Sequence, residues 1–339
     1  MKKGFLKLIL LRLCKLCISA VLVLLLLSVV TFFYNYTGIH VTNKSGATDY
    51  NWQKNQIMFN LKEGFSFVRM DENGFNNVAL PENDIDILLM GSSHMEAYQV
   101  NQNENCAALL NDYMPDLFTY NIGVSGHTIY RLADNIEAAL REYRPEKYVI
   151  LETNTVSLSI NEMQKILDGS ASAIKSYDSG VLFYLQKIPA FKPLYNQLEN
   201  WLNVKIESSD SAPAQKVETV IPENYETVLT EFLKSISDSA NEYGVVPVIF
   251  YAPNESLTGD GELVFQTDEK YYEIYKDVCE ETGIVFIDMS PYFLDLYENS
   301  NVLAHGFANT AVGVGHLNRH GHKMIAEVLA AEISETEVR

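Results

Sequence analysis

Basic side chains are scarce in this chain. Its 339 residues hold 25 lysines and arginines against 44 acids, a formal charge of −19. Phosphate backbones are held by basic faces, so no nucleic-acid partner is expected. Cysteine is also rare, with four in all. Cys14 and Cys17 have C-x-x-C spacing but lie at the edge of an apolar run, where neither a redox nor a zinc site is read. Cys106 and Cys279 fall in helix-like segments and read as two small buried residues rather than a disulfide.

The first 34 residues lack acid altogether. Lys2, Lys3, Lys7, Arg12 and Lys15 precede "LCISAVLVLLLLSVVTFFY", residues 16–34, which carries no charge. That run is close to the roughly 20 residues a helix needs to cross a bilayer. The basic flank predicts a cytoplasmic N-terminus and an extracytoplasmic remainder. A small-x-small cleavage site is missing after the apolar core, which ends in an aromatic belt at Phe32, Phe33 and Tyr34. An uncleaved anchor is therefore expected rather than a signal peptide. Beyond residue 15, 20 basic residues face all 44 acids, a balance of −24.

No internal repeat or low-complexity tract interrupts the rest of the chain. Residues 35–80 read as a polar connector, with a strand and an Asn73-Gly74 turn near its end. Apolar strands are then expected at 84–91, 117–123, 147–154, 244–254 and 284–290. Helical patterns separate or succeed them at 106–113, 129–143, 223–243, 268–283 and 320–333. Such alternation predicts a parallel sheet covered on both faces, a three-layer α/β/α sandwich with sites at the carboxyl ends of the strands. The domain so defined is 81–339, with an insertion at about 156–222.

Those strand ends carry the chemistry. The first ends in Gly91-Ser92-Ser93-His94, the second in "NIGVSG", residues 121–126, and the third in Glu152-Thr153-Asn154-Thr155. After the fifth come Gly315-His316-Leu317-Asn318 and a helix. A hydroxyl, a base for its proton and preset donors for an oxyanion are the parts of acyl transfer. Rival chemistries lack their motifs. No Gly-x-Ser-x-Gly surrounds Ser93, because Met95 stands at the second glycine position, which argues against an α/β-hydrolase. "VGVG", residues 312–315, is not followed by Gly-Lys-Ser, so it is no phosphate loop. His316, His320 and His322 lack the His-Glu-x-x-His pattern or a third ligand of known type, and no metal or cofactor is expected.

Taken in order, the four blocks over residues 85–333 resemble the SGNH/GDSL hydrolase superfamily. Gly91-Ser92-Ser93 looks like its Gly-Asp-Ser block and makes Ser93 the nucleophile. Gly126 matches the oxyanion glycine and Asn154 the oxyanion asparagine. Gly313-Val314-Gly315-His316 resembles Asp-x-x-His and makes His316 the base. The resemblance implies a flavodoxin-like SGNH fold and a membrane-anchored esterase or O-acyltransferase. Its expected partners are acyl esters of a cell-envelope carbohydrate or related polymer and, for a transferase, a membrane acyl-transfer protein. Ser92, Glu152 and Thr155 depart from the pattern. So does Gly313, which stands in the acid's place, and no acid lies between Asn301 and Gly315. Three readings stay open: a Ser93–His316 dyad oriented by a backbone carbonyl, a carboxylate supplied from elsewhere, or a degenerate site kept as a binding or scaffolding module. Asp295 and Glu298 are the nearest upstream acids, on an expected helix.

Overall fold

The computed structural model describes residues 2–35, 38–78, 80, 84–170 and 221–338. The central sheet contains β5 (Ile87–Met90), β6 (Thr119–Asn121), β7 (Tyr148–Thr153), β8 (Val246–Tyr251) and β11 (Val285–Asp288). All its pairings are parallel, in the order β11-β8-β7-β5-β6. Numbered by their own succession the strands run 2-1-3-4-5, the flavodoxin-like order of a doubly wound sheet. The five strands foreseen in the sequence are these five.

Period-two alternation fills both faces. Leu88, Met90, Val149, Leu151, Ile249 and Tyr251 point into one core. Ile87, Leu89, Tyr148, Ile150, Val248 and Phe250 point into the other. Full burial of each such aliphatic side chain contributes about 1.5–3 kcal/mol, so strands that bury both faces read as unbroken apolar runs. On the first face lie α4 (Ile129–Tyr143), α6 (Tyr225–Glu242) and α7 (Glu269–Glu281). On the second lie α3 (Cys106–Tyr113), α8 (Ser290–Ser300) and α9 (Arg319–Val338). Cys106 and Cys279 are buried and unbonded, and they belong to opposite faces of the sheet.

Helix boundaries reflect local chemistry. Asn105 caps α3 by accepting from Ala108 N at 2.9 Å, and Asp268 caps α7 by accepting from Lys270 N. α4 stops at Arg144 in the left-handed conformation, just before Pro145. The short α2 (Ser93–Glu96) comes directly after β5, and α5 (Ile160–Leu167) comes after β7. Most of the expected insertion at 156–222 lies outside the described residues.

Ahead of this sandwich stands α1 (Lys2–Asn35), of which Lys7–Thr31 is long and apolar enough to cross a membrane. The connector segment carries two antiparallel pairs, β1 (His40–Thr42) with β2 (Tyr50–Trp52), and β3 (Ile57–Asn60) with β4 (Ser66–Arg69). Trp52, Met58, Val68, Met70 and Phe75 from this segment are buried in the same core as Leu88 and Tyr120. The Asn73-Gly74 turn is present, with Gly74 at φ +86°. Two further pairs complete the described strands: β9 (Glu255–Leu257) with β10 (Leu263–Phe265), and β12 (His305–Gly306) with β13 (Val312–Leu317).

Candidate active site

β5 and β7 flank the point where the strand order reverses, and the crevice above such a point is the usual ligand site of a doubly wound sheet. The chain leaves β5 through Gly91 and Ser92 and enters α2 at Ser93. Ser92 is the N-cap, its Oγ accepting from His94 N at 3.2 Å. Ser93 is half-buried in the first turn. The turn is too crowded for a side chain at Gly91, where a Cβ would lie 2.3 Å from Met95 Cγ and 2.6 Å from Glu152 Oε2.

The departures from the family pattern at Ser92 and Glu152 explain each other. Glu152, fully buried at the end of β7, accepts from Ser92 N at 2.7 Å and from Ser92 Oγ at 3.0 Å. His94 Nδ1 lies 3.0 Å from its Oε1. Burial works to raise the Glu152 pKa, but the contact and charge of the His94 ring and the bonds from Ser92 outweigh it and hold the carboxyl below its usual range. Glu152 thus ties the strand end bearing Asn154 to the turn bearing Ser93. Asn154 itself is exposed one residue past β7.

The loop after β6 is tied to the same turn. Val124 N donates to Gly91 O at 2.9 Å, and Asn121 Nδ2 donates to Met95 O at 2.7 Å. His127 N closes a turn onto Val124 O at 3.2 Å, with Gly126 inside it at φ +83°. Glu96, fully buried at the end of α2, accepts from Trp52 Nε1 at 2.7 Å and from the Ser125 hydroxyl. Burial raises its pKa and those bonds only partly offset the rise.

His316 lies on β13, and its ring centroid is 5.8 Å from that of His94. It has a carboxylate partner. Glu63, in the β3–β4 turn, approaches His316 Nδ1 with Oε2 at 2.8 Å and accepts from His316 N with Oε1 at 3.0 Å. Burial acts to raise the Glu63 pKa, but its bonds to His316 and the nearby imidazole charge prevail and lower it. Of the three readings left open for His316, the geometry favours a carboxylate supplied from elsewhere in the chain, that of Glu63. Asp295 and Glu298 sit on α8 as expected, and Asp295 accepts from Asn299 instead.

Glu63 is held from both sides. Asn60 Oδ1 accepts from Lys62 N and Glu63 N, while Asn60 Nδ2 donates to Glu63 O at 2.7 Å. Across the turn, Asn309 accepts from Gly64 N and donates to the carbonyls of Leu61 and Gly64 at 3.0 Å. The second glycine of "VGVG" finds its use here. Gly315 has φ +99°, and a Cβ on it would meet Glu63 Oε1 at 2.5 Å. Only a bare backbone admits the carboxylate so close to the His316 amide. Nothing local to residue 63 signals this role. The acid lies 253 residues before its histidine and ahead of the serine in the chain.

Of the other histidines, His127, His305 and His322 are buried, and His40 and His320 are partly exposed. His305 N donates to Glu255 Oε1 at 2.7 Å, and burial pushes His322 down to about 3. Among the described residues no group of three or more histidine, cysteine or acidic side chains could hold a metal ion.

No family model matches the chain. No curated protein matches it either. Solved structures do. An esterase, EstA, from Pseudoalteromonas sp. shares 15% identity over 75% of this chain and 98% of its own, with a TM-score of 0.40. An acetyl xylan esterase, AlAXEase, shares 14% over 74% of this chain and 100% of its own, at 0.41. A lipolytic protein of the G-D-S-L family from Desulfitobacterium hafniense, described as putative, shares 14% over 72% of this chain and 97% of its own, at 0.39.

Proposed function

We propose that this chain is an SGNH-type serine esterase or O-acyltransferase, held at the outer face of a membrane by α1, that works through Ser93, His316 and Glu63. The observation that carries the reading is the Glu63–His316 pair. A carboxylate accepting from Nδ1–H fixes the tautomer in which Nε2 is bare and stabilises the imidazolium that forms when Nε2 takes a proton. In the reaction, Nε2 removes the Ser93 hydroxyl proton as Oγ bonds to the ester carbonyl carbon. The carbonyl oxygen takes the negative charge and is met by the amides of Ser93 and Gly126 and the Asn154 side chain. Collapse breaks the ester C–O bond, and the leaving alkoxide takes the proton from His316. Water, or a sugar hydroxyl in a transferase, then gives His316 its proton and attacks the acyl-Ser93 carbonyl, and as the acyl C–O bond to Oγ breaks, Oγ takes that proton back from His316.

The substrate class we assign is an acyl ester of a cell-envelope carbohydrate or related polymer, with a membrane acyl-transfer protein as donor in the transferase case. A helix long and apolar enough to cross a membrane and the family resemblance of the four blocks support this. The non-catalytic alternative rests on Gly313 in the acid's place, and the carboxylate of Glu63 removes that ground. The test is hydrolysis of p-nitrophenyl acetate by the wild type and by Ser93→Ala, with circular dichroism to check folding. Loss of turnover in a folded variant is expected. Turnover that survives the substitution would remove Ser93 from the mechanism.

A further inference from the structure

The turn that delivers Glu63 belongs to a hairpin whose outer side is apolar. Ile57 is 39% exposed, Leu61 38%, Phe65 66% and Phe67 49%. Phe59 and Phe67 face each other across the pair with ring centroids 5.0 Å apart. The inner side, Met58 and Val68, is buried, so this is an amphipathic hairpin with an uncovered aromatic face. Charge around it is also unusual. Lys54, Lys62 and Arg69 are exposed on the hairpin and its approach, the acid within the hairpin, Glu63, is engaged by His316, and Glu72 is exposed just beyond β4. A basic, aromatic face stands out in a chain whose part beyond residue 15 is acidic overall.

What covers this face is indicated by α1. Ser28 and Thr31, near its carboxyl end, are the partly covered residues among its described side chains, the rest being exposed. The segment α1 meets is β3. A helix that spans a bilayer and emerges against β3 sets the hairpin at the water–lipid boundary. Aromatic and aliphatic side chains there enter the acyl edge, and lysine and arginine meet anionic headgroups.

We infer that the outer face of the β3–β4 hairpin, with Ile57, Leu61, Phe65 and Phe67, rests in the headgroup region of an anionic lipid bilayer. The catalytic acid is thereby held at the membrane surface, and substrate would reach the site along that surface. The inference rests on α1 being a membrane span, and its test keeps the two separable.

The full chain, with Cys14 and Cys17 changed to serine, is reconstituted into phosphatidylglycerol-containing liposomes. A nitroxide is attached at Phe65→Cys, at Leu61→Cys or, as a control, at Val246→Cys. Val246 is exposed at the amino end of β8, the far rim of the sheet from the site. Alkaline extraction reports on the anchor independently. The expected result is a severalfold higher ratio of oxygen to nickel-chelate collisions at residues 61 and 65 than at 246. The difference should shrink when zwitterionic lipid replaces the anionic lipid. Ratios equal to the control in protein that resists extraction would overturn the surface while leaving the anchor standing. Protection seen only in native membranes and absent in pure lipid would assign the face to a protein partner and overturn it equally. Protein released by extraction would remove the anchor, and the inference with it. Should Phe65→Cys fail to fold, Phe67→Cys carries the same measurement.

Discussion

Two of the carboxylate–imidazole pairs above the sheet, Glu152–His94 and Glu63–His316, differ sharply in their surroundings. In Glu152–His94 the side chains keep 2% and 8% of their surface, and the carboxylate is further fixed by both polar atoms of Ser92. In Glu63–His316 they keep 22% and 28%, and among the described residues the carboxylate bonds the backbone and ring of its histidine alone. Burial on every side makes the first pair a brace between β5 and β7, because changing its charge would leave a buried group uncompensated. The second pair is partly open to solvent, as a group that meets substrate must be. On the function proposed, the same two residue types are a joint in one place and a proton relay in the other, and surroundings decide which.

Breaking the relay should give the largest effects. His316→Ala and Glu63→Gln are each expected to lower esterase turnover by about 10⁴-fold, with little change in melting temperature. Near-normal turnover in Glu63→Gln would show that His316 is oriented without its carboxylate. Next comes Gly315→Ala, whose Cβ must push Glu63 away from the His316 amide. A displacement of that kind costs about 10²-fold in turnover, again without unfolding the domain.

Breaking the brace should act on stability first. Glu152→Gln loses charged hydrogen bonds worth about 2 kcal/mol, read as a lower denaturant midpoint, and should reduce turnover less than Glu63→Gln does. Its pH dependence sharpens the contrast. The folded Glu152 pKa lies below the ordinary value of 4.5. Its contribution is therefore complete above that value and is lost as the pH falls through the folded one. Wild type should lose stability in acid more steeply than Glu152→Gln, and parallel acid curves would contradict the brace. The smallest effect is expected of Ser92→Ala, which removes a cap and one bond to Glu152 at a cost of about 1 kcal/mol in thermal or chemical unfolding.

The brace and the relay also differ in how far they could be read from sequence. The sheet was legible because β5 and β7 are buried on both faces and so read as apolar runs of strand length. Ser93, Gly126 and Asn154 could be proposed because strand ends are where a parallel sheet displays its chemistry, and the four-block resemblance assigned roles to them and to His316. Glu152 was visible as a departure but not as a brace, since its partners Ser92 and His94 come from another strand end. Glu63 was invisible. It lies in a hairpin ahead of the first sheet strand, and only the fold of residues 57–69 over β13 brings it to His316. Long-range contacts of that kind leave no period in the sequence. The sole trace was the pair of glycines before His316, one of which exists to let Glu63 in.

The central claim is that Glu63 and His316 together activate Ser93. It is tested most directly by the rate at which a fluorophosphonate modifies the wild type, Glu63→Gln and Ser93→Ala, with the labelled peptide located by mass spectrometry. The account predicts fast labelling at Ser93 in the wild type, slow labelling at the same residue in Glu63→Gln, and none in Ser93→Ala. Equal rates in the wild type and Glu63→Gln, or label on another residue, would contradict it.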